Sequence, residues 1–158
     1  MINNEDIIVK FYTAFANANV EKMCECYHPN VQFNDPAFGF LNGNEVFQMW
    51  RMLIERSNGN IKIDFSNINA NEHLGSARWI ATYRFSKTNR KVVNRIAAKF
   101  LFKDGLIIKH TDDFDIWKWS RQAFGIKGIL LGWTGFMQNK IQQQARMSLK
   151  KYYEINQI

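Results

Sequence analysis

Three features of the sequence predict an α+β fold. Apolar stripes at helical spacing fill the first 56 residues, strand-like runs fill 61–118, and Lys103-Asp104-Gly105 marks a tight hairpin between the last two runs. Helices followed by long strands point to a curved antiparallel sheet carrying helices on one face.

The first helix is expected over residues 5–18, capped by Asn3 or Asn4. Ile8, Phe11, Tyr12 and Phe15 fall at i, i+3, i+4 and i+7. Asn17 to Asn19 end it. A short second helix carries Val20, Met23, Cys24 and Tyr27 and is expected to stop at His28-Pro29, because a residue before proline disfavours the helical region. Val31 to Pro36 is a short strand, and Ala37 to Gly43 an apolar loop of the kind that covers something. A third helix runs over 45–56, with Val46, Phe47, Trp50, Leu53 and Ile54 on its buried face. Ser57-Asn58-Gly59-Asn60 stops it.

Strands are expected near 61–69, 74–86, 91–103 and 106–118. In the second, Ala77, Trp79, Ala81, Tyr83 and Phe85 share a face, and Ile80 lies on the other. Helices can cover only one face, so a second copy of the sheet is the simplest cover for the other, which predicts a homodimer.

The last strand is the informative one. Strict alternation groups Leu106, Ile108, His110, Asp112, Phe114 and Ile116 on one face. Ile107, Lys109, Thr111, Asp113, Asp115 and Trp117 fall on the other. His110 and Asp112 are thus two titratable groups in an otherwise apolar row, where they must be paired, hydrogen-bonded or lining a pocket. A carboxylate that orients an imidazole beside an apolar cavity makes a general acid/base pair. The competing reading is a satisfied buried pair with no chemistry.

Residues 120–158 form an extension on a core domain of 1–119. Gly125 to Trp133 is apolar but cut by three glycines, and Thr134 caps a final helix to about 153, with Ile141, Ala145, Leu149 and Tyr152 on one side. Most of the net charge of +7 resides there: 117–158 hold seven Lys/Arg against one Asp/Glu, which is +6, while 1–116 hold fourteen against thirteen. The basic residues are spread along a helix with no nucleic-acid motif, so no nucleic-acid partner is expected. No apolar run reaches the ~20 residues of a membrane span, and the acidic, polar N-terminus has no export signature, which together suggest a cytoplasmic protein. Cys24 and Cys26 diverge on a helix and read as reduced thiols. No Cys/His cluster suggests a metal.

The order helix, helix, strand, helix and four strands resembles the nuclear transport factor 2-like superfamily. Tyr27-His28-Pro29-Asn30-Val31-Gln32-Phe33-Asn34-Asp35-Pro36, with Gly39 and Gly43, is similar to a segment of SnoaL-like and ketosteroid isomerase-like members. The resemblance covers residues 5–118. It implies a cystatin-like α/β roll, a cone with a deep apolar pocket, dimerisation through the outer sheet face, and a small apolar ligand without metal or organic cofactor. Phe11, Phe15, Phe33, Phe38, Trp50, Ala98, Phe100 and Phe114 are the residues expected to line that pocket.

Two activities follow from the resemblance. In the isomerase pattern Asp35 matches the proton-shuttling aspartate, while the two oxyanion donors fall on Phe11 and Ala98 and do not carry over. In the limonene-1,2-epoxide hydrolase pattern Asp112 matches the water-activating aspartate and Arg84 the bridging arginine, while the acid falls on Ser86. Asp112, His110, Asp35 and Arg84 are therefore the candidate catalytic residues of an isomerase or hydrolase. The alternative is a non-catalytic interaction module that uses the outer sheet face and the basic C-terminal helix.

Overall fold

The computed structural model describes residues 2–131 and 134–156. Gly132 and Trp133, the end of the glycine-cut stretch, lie outside the described residues. The elements are α1 (Asn4–Ala16), α2 (Val20–Cys24), β1 (Tyr27–Asp35), β2 (Gly39–Asn42), α3 (Asn44–Ser57), β3 (Lys62–Ala70), β4 (Leu74–Arg84), β5 (Lys91–Lys103), β6 (Leu106–Asp113), α4 (Ile116–Phe124), α5 (Ile126–Leu131) and α6 (Gly135–Asn156). The strands make one curved, unclosed sheet in the order β2-β1-β6-β5-β4-β3. Only β1 and β6 pair in parallel; the other neighbours are antiparallel.

Local chemistry explains the helix starts. Asn3 accepts from Asp6 N at 2.9 Å while Asp6 Oδ2 accepts from Asn3 N at 3.2 Å, a reciprocal capping box on α1. The stripe on α1 is buried as the spacing requires: Ile8, Phe11 and Tyr12 are fully covered and Phe15 nearly so. Each such side chain contributes ~2 kcal/mol of apolar burial. The Asp104-Gly105 turn has both residues at positive φ, 53° and 73°, as a two-residue hairpin loop that matches strand twist demands.

Four expectations are corrected. His28-Pro29 does not end a helix: α2 stops at Cys24 and both residues belong to β1. The apolar loop after Pro36 contains a strand, β2, which folds back on β1 with Asp35 opposite Gly39. The last strand ends at Asp113, because Asp115 turns the chain into α4. Its Oδ1 accepts from Trp117 N at 3.0 Å and Lys118 N at 3.1 Å. Phe114, Ile116 and Trp117 therefore follow no strand parity.

The fourth correction concerns alternation within β6. Leu101 pairs with Lys109 but Phe102 pairs with Ile107, so one extra residue is accommodated on β6. That bulge turns Ile107 into the core, where it is fully buried, and leaves Ile108 half-buried. Beyond the bulge His110 and Asp112 face inward, at 0 % and 4 % exposure, while Asp113 is exposed.

The extension is a roof. On α6, Leu149 joins the main core and Ile141 a second cluster with Val92, Trp119 and Ala123. Polar contacts tie the helix on two sides: Gln142 Nε2 donates to Pro36 O at 3.2 Å, and Lys87 Nζ donates to Gln144 Oε1 at 3.0 Å. Thr134 Oγ1 caps the helix by accepting from Met137 N at 3.1 Å. Among the described residues no helix is long and apolar enough to cross a membrane. Both cysteines are free thiols, pushed up to about 11 by burial.

Candidate active site

A cavity of about 1110 Å³ opens between the inner face of the sheet, α3 and the roof. Its walls are largely apolar, including Phe15, Trp50, Trp79, Ile96 and Ile141. Few polar groups reach it from inside, and these decide what it can do.

Asp112 belongs to a linear hydrogen-bond chain of five side chains centred on His110. Trp50 Nε1 donates to the Tyr27 hydroxyl at 2.9 Å, and that hydroxyl lies 2.7 Å from His110 Nδ1. On its other side His110 Nε2 lies 2.9 Å from Asp112 Oδ1, which also accepts from Trp79 Nε1 at 3.2 Å. Donor counting assigns the protons. The Asp112 carboxylate can only accept, so Nε2–H donates to it; Nδ1 of that tautomer is an acceptor, and the Tyr27 O–H donates to it. Every group in the chain is then satisfied with a single tautomer. Both donors reach Oδ1, and no hydrogen bond among the described residues engages Oδ2, on a side chain that lines the cavity.

Backbone register builds this chain. His110 stands between Phe33 on β1 and Phe100 on β5, and Asp112 stands opposite Ala98. The small side chain of Ala98 leaves room beside the carboxylate. Aromatic rings enclose the imidazole: Phe100 lies 4.5 Å away, Phe33 5.2 Å, Phe11 5.6 Å and Trp50 6.2 Å between ring centroids. His110 is fully buried behind Asp112 and does not itself line the cavity. It can act on a ligand only through the carboxylate.

Asp35 is the second acidic group on the cavity wall. Its Oδ1 accepts from Ala37 N at 2.9 Å and Phe38 N at 2.6 Å, which fixes the turn into β2. Burial, aided by the nearby charge of Asp112 and opposed by those two amides, pushes it up to about 7. Tyr83 also lines the cavity. Its oxygen accepts from Trp119 Nε1 at 2.8 Å, so its own proton has no acceptor among the described residues. Burial raises it first, and Asp35 adds to the rise.

The structure sorts the residues picked from the sequence. Asp112, Asp35, Phe15, Phe38, Trp50 and Phe114 are brought to one cavity. Phe11, Phe33, Ala98 and Phe100 are not on its wall; they form the shell around His110 and Asp112. Arg84 does not meet Asp112. It lies on the outward parity of β4, is exposed at the cavity mouth, and donates through Nη1 to Asn89 O at 3.0 Å. The bridging role expected of it has no counterpart here, and Ser86 is likewise exposed.

Asn94 was missed. It lies on β5 opposite Ala81, is 8 % exposed, and lines the cavity. No protein hydrogen bond among the described residues engages its carboxamide. Its signal was present, since Val92, Asn94, Ile96 and Ala98 alternate inward on β5 and only one of them is polar.

A family model for the SnoaL-like domain matches residues 8–110. No curated protein matches the chain. Among solved structures, an NTF2-like protein of unknown function from Burkholderia pseudomallei superposes with a TM-score of 0.65 at 14% identity, covering 79% of this chain and 100% of that one. A protein from Pseudomonas putida, provisionally described as a polyketide cyclase, gives 0.63 at 16% identity over 78% of this chain and 99% of its own. TerC co-crystallized with polyporic acid gives 0.61 at 14% identity, over 71% and 91%. At these identities the likeness is one of fold.

Proposed function

The chain belongs to the SnoaL-like domain family, and from that premise we propose that it binds a small, largely apolar carbonyl compound in the cavity and moves a proton on it. The observation that carries this reading is the pairing of Asp112, which leaves one oxygen for the cavity, with Asp35, held near neutrality on the same wall. Two carboxyl groups whose surroundings differ can divide the roles of base and acid.

In this scheme Asp112 Oδ2 takes a proton from the carbon beside the carbonyl. The C–H electron pair forms a C=C bond and the carbonyl π pair moves onto the oxygen, giving an enolate. Protonated Asp35 donates to that oxygen, and the Asn94 carboxamide and Tyr83 hydroxyl are the further donors within the cavity. In a ketone with a neighbouring C=C bond the proton held by Asp112 then returns at the far end of the conjugated dienolate, which is an isomerisation; in a diketone the enolate carbon attacks the second carbonyl, and the alkoxide formed takes the proton back from Asp112, which closes a ring. His110 and Trp79 are positioning residues that hold Oδ1 and so aim Oδ2. The chemistry calls on side chains alone. Epoxide opening is the weaker reading, because it needs a cation beside Asp112 and Arg84 is bound to Asn89 O instead.

The provisional description of the P. putida structure as a polyketide cyclase and the polyporic acid bound to TerC accord with a cavity for oxygenated ring compounds. A homodimer through the outer sheet face, where Ile80, Val93 and Ala97 are half-buried and Leu101 is exposed, belongs to the same proposal, as does a cytoplasmic site of action.

The test uses 2-tetralone, a bicyclic ketone with exchangeable protons beside its carbonyl. Tryptophan quenching first establishes that it binds. Proton NMR in deuterium oxide then follows loss of the adjacent protons. Exchange about 100-fold faster than in buffer supports the reading; bound ketone exchanging at the buffer rate refutes it.

A further inference from the structure

The cavity has an inner and an outer half of opposite character. Inside, the acidic side chains among the described residues are Asp35 and Asp112, and the apolar walls carry the rings of Phe15, Trp50 and Trp79. At the mouth the charged side chains are all cationic. Lys87 and Lys91 come from the β4–β5 hairpin and its exit, Lys127 from α5 and Lys140 from α6. Arg84 adds a further positive charge on the hairpin side, and Arg56 and Lys62 line the cavity from α3 and β3, Lys62 already paired with Asp64 at 3.6 Å. Three separate elements thus bring like charges to one opening, against their mutual repulsion.

Among the described residues none of Arg84, Lys87, Lys91, Lys127 and Lys140 forms an ion pair with a carboxylate. Lys87 contacts the neutral Gln144, and Arg84 a backbone carbonyl. Unpaired cations around the entrance of an apolar cavity create a field that attracts and holds an anion there, because the low-dielectric walls focus it. The charge surplus of the chain lies in the same region, on the extension that supplies the roof.

We propose that the cavity selects amphiphilic acids: small molecules whose apolar, ring-bearing body enters between Trp50 and Trp79 while a carboxylate, sulfonate or phosphate of the same molecule stays at the mouth among Lys87, Lys91, Lys127 and Lys140. This rests on the cavity being a ligand site, and it adds the charge of the ligand. The mouth cations also fix the ligand's direction. The anionic end stays outermost, so the reacting carbonyl is carried inward to Asp112 and Asn94.

Two probes of matched body separate the claims. 1-Anilinonaphthalene-8-sulfonate and N-phenyl-1-naphthylamine share the same ring system and differ by one sulfonate. Both brighten on leaving water. In 20 mM salt the sulfonate is expected to bind about tenfold more tightly, to displace the neutral probe, and to lose most of its advantage in 0.5 M sodium chloride. The combined variant Lys87→Gln, Lys127→Gln, Lys140→Gln is expected to erase the advantage while leaving the neutral probe's Kd unchanged. Equal affinities at low salt would overturn the proposal and leave the cavity reading standing. So would a sulfonate advantage that survives in the triple variant, or a failure to displace the neutral probe. If neither probe binds, the cavity is no ligand site and both readings fall.

Discussion

The hydroxyl of Tyr27 lies 2.7 Å from Nδ1 of His110 and takes the indole N–H of Trp50 at 2.9 Å, so one oxygen satisfies two buried rings. Tyr12 has the same side chain at the same full burial, and its hydroxyl has no hydrogen-bond partner among the described residues. The two tyrosines should therefore respond oppositely to loss of their oxygen. Tyr27→Phe strands a ring nitrogen and an indole and should cost about 2–3 kcal/mol. Tyr12→Phe should lie between no change and a gain of about 1 kcal/mol, because a desolvated hydroxyl disappears. Urea unfolding with unchanged m values measures both; equal losses would mean that the hydrogen-bond chain is not what secures His110.

Much of this was legible from the chain. Ile8, Phe11, Tyr12 and Phe15 announced α1, Asp104-Gly105 announced the hairpin, and the inward parity of His110 and Asp112 survived folding. The reasons for the failures are physical. Alternation cannot show a bulge, because the extra residue at the β6 register shift is defined by its partner strand. Asp115 read as one more polar strand residue, although an aspartate ahead of Ile116-Trp117-Lys118 is also a helix cap, and capping won. Asn94 was readable, as a lone polar group on an apolar parity. Seven aromatic residues were assigned to one pocket when three of them, Phe11, Phe33 and Phe100, lie behind its wall around His110, because sequence spacing does not separate a cavity wall from the layer behind it.

Asp35 makes folding pH-dependent. Its folded value of about 7 lies above the 3.8 of an exposed aspartate, so the folded state binds the proton more tightly. Stability from this group is fully present below about pH 4 and is lost as pH rises through about 7. Asp35→Asn keeps an oxygen for the Ala37 and Phe38 amides and cannot ionise. Its unfolding free energy should exceed that of the wild type at pH 8.5, by on the order of 2 kcal/mol after allowance for partial exposure, with the gap closing by pH 4. A gap independent of pH would show that the carboxyl is not held protonated.

Among the described residues the Asn94 carboxamide has no hydrogen-bond partner to lose. Asn94→Leu conserves volume and removes only the carboxamide, so unfolding free energy should change by less than about 1 kcal/mol. The Kd for 2-tetralone should weaken by about 5- to 10-fold if the amide donates to the ketone. Unchanged affinity would remove Asn94 from the site.

Leu149 tests whether the extension is part of the domain. It is 5 % exposed and belongs to the main core with Ala145 and Tyr152 packed beside it. Leu149→Ala should cost about 2–3 kcal/mol in a single cooperative transition. A detached helix would give no measurable change in the unfolding of the rest.

The central claim is that Asp112 takes the proton, and its most direct test is the deuterium exchange rate of saturating 2-tetralone on wild type and on Asp112→Asn. An asparagine can still accept from His110 and Trp79 through its oxygen, so the cavity should persist and the ketone should bind within about threefold of wild type. The account predicts exchange slowed by about 100-fold in the variant, to near the buffer rate. Exchange at the wild-type rate by a variant that binds the ketone normally would contradict it.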